Sequence, residues 1–178
     1  MDTDANDVDL SSVNIRVAGI IKESIVDGPG IRFSIFTQGC PHICDGCHNP
    51  DTHDFEGGND MSAALLLADI EKDPLLSGVT FSGGEPFCQS KAVYELAVKV
   101  KGLGLNIMAY SGWTLEQLLE MSEDDKYIGL LLEQIDYLVD GRFILSERDL
   151  ELRFRGSRNQ RYIDMNKTRE TGIVTVIE

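Results

Sequence analysis

Short apolar, β-branched runs alternate with helical stripes along this chain, and that alternation limits the fold more than any other feature. VNIRVAGII (13–21), IRFSIFT (31–37), GVTFS (78–82), LNIMAY (105–110), DYLVDG (136–141) and the closing GIVTVIE (172–178) have strand character. Between them, 62–73, 89–102 and 114–122 have helical character. Ser62 stands where a cap belongs and Pro74 lies just past the first helix. In the second, Ala92, Val93, Leu96, Ala97 and Val100 fall on one stripe, with Gly102 and Gly104 closing it. Strands that alternate with helices predict an α/β fold, a parallel sheet with helical crossovers. At 178 residues the chain is short of the ~250 that an eight-unit barrel needs, so a partial, open βα barrel is expected. Residues 1–12 are expected to form a flexible acidic tail, and residues 13–178 a single domain.

The unusual residue clusters follow strands. Cys40, Cys44 and Cys47 come after 31–37, and Gly83-Gly84-Glu85 after 78–82. Ser111-Gly112 comes after 105–110, and Asp140-Gly141-Arg142 ends the run at 136–141. Parallel α/β proteins build their sites at the C-terminal edge of the sheet, so these segments are expected to meet there.

Composition bounds the partners. With 16 Lys and Arg against 30 Asp and Glu the formal charge is -14, a poor match to phosphate, so no nucleic acid is expected. No run is long and apolar enough to span a bilayer, and MDTDANDVDLSS lacks the layout of a signal peptide, so the expectation is a soluble cytoplasmic protein with no membrane partner. In a reducing compartment clustered cysteines are more often metal ligands or redox thiols than disulfides.

Four readings compete for TQGCPHICDGCHNP (37–50). A disulfide leaves one thiol of the cluster over. A zinc site usually takes four ligands, which His42, His48, His53 or Cys88 would have to complete. A redox dithiol needs only two cysteines. Three thiolates spaced C-x3-C-x2-C can hold three irons of a cubane cluster, leaving the fourth iron open.

That spacing resembles the radical S-adenosylmethionine (SAM) superfamily, and SGGEP (82–86) resembles its second motif. The resemblance implies a [4Fe–4S] cluster on Cys40, Cys44 and Cys47, with SAM chelated at the open iron. It implies that Gly83, Gly84 and Glu85 engage the methionine amino group, since glycines let backbone carbonyls come close and Glu85 adds negative charge. VDGPGIRFSIFTQGCPHICDGCHNP (26–50) resembles the activating enzymes of glycyl-radical enzymes. YSGWTLE (110–116), DYLVDGRF (136–143) and LRFRGSRNQR (152–161) are similar to segments of the activases of the anaerobic ribonucleotide reductase.

The superfamily often has an aromatic before the last cysteine, beside the adenine. Gly46 stands there in this chain, and His48 is expected to take over part of that packing. Ser111 and Asp140 are further expected contacts for SAM, with helix capping and turn formation as the competing roles. Cys88 is expected to be a small buried hydrophobe. His42 and His53 are expected to pack in loops, and Trp113 in the core or at a surface. For Arg153, Arg155, Arg158 and Arg161, contact with a partner or a carboxylate competes with a solvated loop.

The implied reaction is one-electron cleavage of SAM to methionine and a 5′-deoxyadenosyl radical, which takes hydrogen from a glycine of the anaerobic ribonucleoside-triphosphate reductase. An electron donor such as flavodoxin is implied. The alternatives are an activase of the pyruvate formate-lyase type, or a zinc-binding partner module without catalysis. RGSRNQR disfavours the first, and GGEP with the strand-end clusters the second.

Overall fold

A computed structural model describes residues 8–178. Seven strands and five helices follow one another in it: β1 (Asn14–Ser24), β2 (Arg32–Thr37), β3 (Asn59–Ser62), α1 (Ala63–Glu71), β4 (Gly78–Gly83) and α2 (Ser90–Gly102). After these come β5 (Asn106–Tyr110), α3 (Leu115–Met121), α4 (Lys126–Gln134), β6 (Tyr137–Asp140), β7 (Arg161–Asp164) and α5 (Met165–Thr171).

The sheet runs β3-β1-β2-β4-β5-β6-β7. Its middle is parallel, β2 to β4 to β5 to β6, as the alternation predicts. Both flanks are antiparallel, β1 against β2 and β3 on one side and β7 against β6 on the other. The sheet is open, with β3 and β7 as its edges.

Period-two alternation gives the sheet two different faces. Phe33, Ile35, Val79, Phe81, Ile107, Ala109, Leu138 and Ile163 share one buried cluster with Leu66, Ile70, Val93, Leu96, Val100, Leu118 and Leu131 of the helices. A smaller cluster holds Met108, Val139 and Tyr162, with Tyr110, Tyr137 and Phe154 against it. Arg32 is fully buried and bonds to Thr80, Asn106 and the carbonyl of Val79. No carboxylate is among those partners, and burial lowers its pKa to about 10.

Several expectations need correction. GIVTVIE is not a strand of the sheet: it makes one isolated bridge, Ile163 with Val176, and Ile173 stays exposed. β3, α4, β7 and α5 are elements beyond those the sequence pattern predicts. The expected tail lies largely outside the described residues, but Leu10 within it is buried and its carbonyl accepts from Val13. Ser62 does precede α1, without a side-chain cap bond.

Candidate active site

The cysteine loop is drawn closed at its base. Gly39 and Cys40 donate to the carbonyls of Thr52 and His53 at 2.8 and 3.1 Å, while the Gln38 amide donates to the carbonyls of Asp51 and Asp54. Gly39 has φ +95, a left-handed turn that a side chain would strain, and an added Cβ would lie 2.5 Å from the Phe55 ring. Within the loop Cys47 donates to the Cys44 carbonyl at 3.1 Å, and Ile43 has φ 47, uncommon for a β-branched residue.

Cys40, Cys44 and Cys47 are free, half-buried thiols that line one cavity of about 520 Å³. Gly83, Gly84, Ser111, Gly112 and Gly141 line it too, so the ends of β4, β5 and β6 meet the loop as the topology predicts. Burial pushes the Cys40 thiol up, which keeps it neutral until a metal cation favours the thiolate.

The donor set suits an iron–sulfur cluster. Three unpaired thiols face one space, and the sulfur of Cys47 already accepts the Asn49 N–H at 3.4 Å, the kind of bond that tunes such clusters. Among the described residues, no three His, Cys, Asp or Glu side chains are grouped closely enough for one metal ion. A cluster instead takes one thiolate per iron.

Glu85 is not in the cavity wall. Its carboxylate is fully buried and takes four donors: His42 Nε2 at 2.8 Å, Ser111 Oγ at 3.1 Å, Gly112 N–H at 2.9 Å and Phe87 N–H at 3.2 Å. An ionised carboxylate offers about four acceptor positions, so little capacity remains for an ammonium. Asp140 is likewise turned away, its carboxylate taken up by Arg161 and by the Leu115 N–H at 2.7 Å. These two carboxylates brace the site where direct contact with SAM was expected.

Gly84 makes room for backbone. An added Cβ would lie 2.4 Å from the Gly39 carbonyl oxygen, and Gly84 and Glu85 donate to the carbonyls of Thr37 and Gly39. The glycine pair thus carries β4 onward alongside the cysteine loop. Ser111 lines the cavity, but its hydroxyl donates to Glu85 and accepts from Trp113; the helix cap is Thr114, in a reciprocal box with Gln117.

His48 lines the cavity and tilts onto Phe143, centroids 5.1 Å apart. Gly156 sits below both, where a Cβ would fall 2.9 Å from Phe143 and 3.1 Å from His48. The arginines divide. Arg153 covers the Phe154 ring, Arg158 pairs with Asp149, and Arg161 pairs with Asp140 and Glu116. Arg155 lines the cavity, and among the described residues its buried Nε has no hydrogen-bond partner.

Sequence reasoning missed His42 and Phe143 as cavity residues, and did not single out Arg155 from the other three arginines of its segment. The signal for His42 was its place midway between two cysteines. Cys88 is exposed, contrary to expectation, because Pro86 and Phe87 of its 3-10 turn take the inward positions.

The model of the 4Fe-4S single cluster domain family matches residues 26–163. An anaerobic ribonucleoside-triphosphate reductase-activating protein of Vibrio cholerae is 35% identical over 145 residues, covering 76% of this chain and 89% of that protein. A pyruvate formate-lyase-activating enzyme of Clostridium pasteurianum is 38% identical over 96 residues, 51% of this chain and 40% of that enzyme. Among solved structures, QueE from Escherichia coli superposes with a TM-score of 0.48 at 17% identity, over 64% of this chain and 59% of that one.

Proposed function

Because this chain belongs to the family of anaerobic ribonucleoside-triphosphate reductase-activating proteins and matches the 4Fe-4S single cluster domain, we propose that it installs a glycyl radical in that reductase by reductive cleavage of SAM. The observation that carries the reading is the single cavity shared by Cys40, Cys44, Cys47 and the glycine pair Gly83-Gly84. Held by Cys40, Cys44 and Cys47, a reduced [4Fe–4S] cluster would supply the single electron that cleaves the C–S bond of SAM to methionine and a radical able to take the glycine hydrogen.

The chain's own residues do the holding. The three cysteines ligate iron. The glycine pair lets the end of β4 lie close to the loop that carries them. Arg155, held by its Nη1 bond to the Gln160 carbonyl, brings a positive charge to the cavity wall for an anionic group. His48 and Phe143, rings tilted 47° to each other, give two aromatic faces in the cavity, either of which can stack on a purine. An electron donor such as flavodoxin completes the reaction. The match to a pyruvate formate-lyase-activating enzyme favours, as a second reading, another glycyl-radical enzyme as substrate.

The test is anaerobic reconstitution with iron and sulfide, then EPR of the reduced protein with and without SAM. The expected result is a cluster signal that SAM alters, followed by a glycyl radical on the reductase. A colourless protein holding one zinc overturns the reading. A radical appearing only on another glycyl-radical enzyme selects the second.

A further inference from the structure

We propose that His42 is a positioning residue that latches the cysteine loop to Glu85 and so fixes Cys44 toward the cavity; this rests on the cluster reading above. His42 stands midway between Cys40 and Cys44, and three contacts hold it. Its Nε2 lies 2.8 Å from Glu85 Oε2, with a side chain only 9% exposed. Its ring meets Trp113 edge-on, centroids 4.6 Å apart at 73°. Its backbone carbonyl accepts from Arg142.

The slot for the ring is built by an absence of bulk. Gly112 faces it, and a Cβ there would lie 2.3 Å from the imidazole Cδ2. The same Glu85 oxygen that meets His42 also accepts from Ser111 and Gly112, so one buried atom ties the loop to the ends of β4 and β5.

The next residue gives the latch its purpose. Ile43 has φ 47, a conformation that costs energy for a β-branched side chain and persists only where the surroundings enforce it. Its side chain is 69% exposed, so packing of that side chain does not enforce it. The anchored neighbour does. With His42 released, Ile43 relaxes to negative φ and Cys44 turns away from the cavity.

The test follows iron instead of turnover. Reconstituted wild type, His42→Ala, His42→Gln and the double variant His42→Ala/Ile43→Gly are challenged with a chelator, and the loss of iron is timed. Melting of the iron-free chains is recorded in parallel. His42→Ala should lose iron about tenfold faster, the scale on which outer-shell partners act. His42→Gln, whose amide can still donate to Glu85, should recover most of the difference. Adding Ile43→Gly should slow the loss relative to His42→Ala alone, because glycine takes positive φ without strain.

Equal rates in wild type and His42→Ala overturn the proposal, as does a double variant that loses iron as fast as His42→Ala or faster. If His42→Ala does not fold, His42→Gln decides: iron loss about tenfold faster than in the wild type overturns the latch. Failure of the wild type to take up iron defeats the cluster reading itself, whereas normal iron retention without a radical on the reductase defeats only the choice of substrate.

Discussion

Arg161, the first residue of β7, places its Nε 3.0 Å from the carboxylate of Asp140, the last residue of β6. The same carboxylate accepts the Leu115 N–H at the start of α3, and the far side of the guanidinium reaches Glu116 at 2.7 and 3.0 Å. An antiparallel edge strand and a helix N-terminus are thereby fastened to the parallel sheet at its active edge. Asp140→Ala leaves Leu115 without its acceptor and half-buried Arg161 without its inner partner. It should cost about 2–4 kcal/mol and lower the melting midpoint by several degrees. Glu116→Ala, on an exposed carboxylate, should cost about 0–1 kcal/mol. Calorimetry on the iron-free chains checks the contrast.

Acid should unfold the chain within a definite window. The Arg161 guanidinium holds Glu116 down to about 2. Burial raises Asp136, but hydrogen bonds from Lys101, Ile107 N–H and Asn166 outweigh it and leave that carboxyl below its ordinary value. Groups with depressed folded pKa values stabilise fully above the unfolded carboxylate range, about pH 4, and lose that contribution as pH falls through the folded values. Urea midpoints should therefore be insensitive to these groups near neutrality and fall between about pH 4 and pH 2. Lys101→Met should reduce the size of that fall.

Two glycines should respond in opposite ways. At Gly84 a Cβ meets the Gly39 carbonyl oxygen at 2.4 Å and the Thr37 oxygen at 2.9 Å, both unyielding backbone. Gly84→Ala should destabilise by about 1–3 kcal/mol and lower iron uptake, since the displaced carbonyl begins the cysteine loop. Gly102, the last residue of α2, has nothing within 4 Å of that position. Gly102→Ala should be neutral or stabilise by up to about 1 kcal/mol. Thermal melts of both variants, with iron analysis of the first, check this.

Cys88 should react more slowly than its exposure suggests. Although Cys88 is exposed, desolvation of its sulfur and the charge of nearby Glu85 push its thiol up to about 12, so little thiolate exists at neutral pH. Mass spectrometry of iodoacetamide-treated chain should find Cys88 labelled more slowly than a cysteine in a model peptide. Cys88→Ser should keep full iron uptake. Cys44→Ala should lose both iron and SAM cleavage.

The central strands and first three helices were legible because their apolar residues recur at the right period: Val93, Leu96, Ala97 and Val100 on α2, Phe33 and Ile35 on β2. β3 was not, because NDMS is a mostly polar four-residue edge whose pairing with β1 no local pattern signals. GIVTVIE misled because β-branched composition measures fit to a sheet surface, and this segment meets β7 at only one bridge. In the site, the cysteines and glycines announced themselves by spacing. Glu85 did not reveal its partners, since two of them, Ser111 and Gly112, arrive from the next strand. Phe143 and Arg155 likewise join the cavity only once β6 and the 152–160 segment fold over it.

The sheet ends at β3 and β7 without joining them, and that gap bears on what can enter. A closed ring of strands is entered only through its two ends, so a polypeptide would have to be threaded, terminus first. An unclosed one has a side. Ile21 and Val26, in and just after β1, and Leu152 and Phe154, ahead of β7, all line the cavity. Past an open edge, a bend in the middle of a long chain can be laid in and lifted out again, with neither of its ends ever passing through.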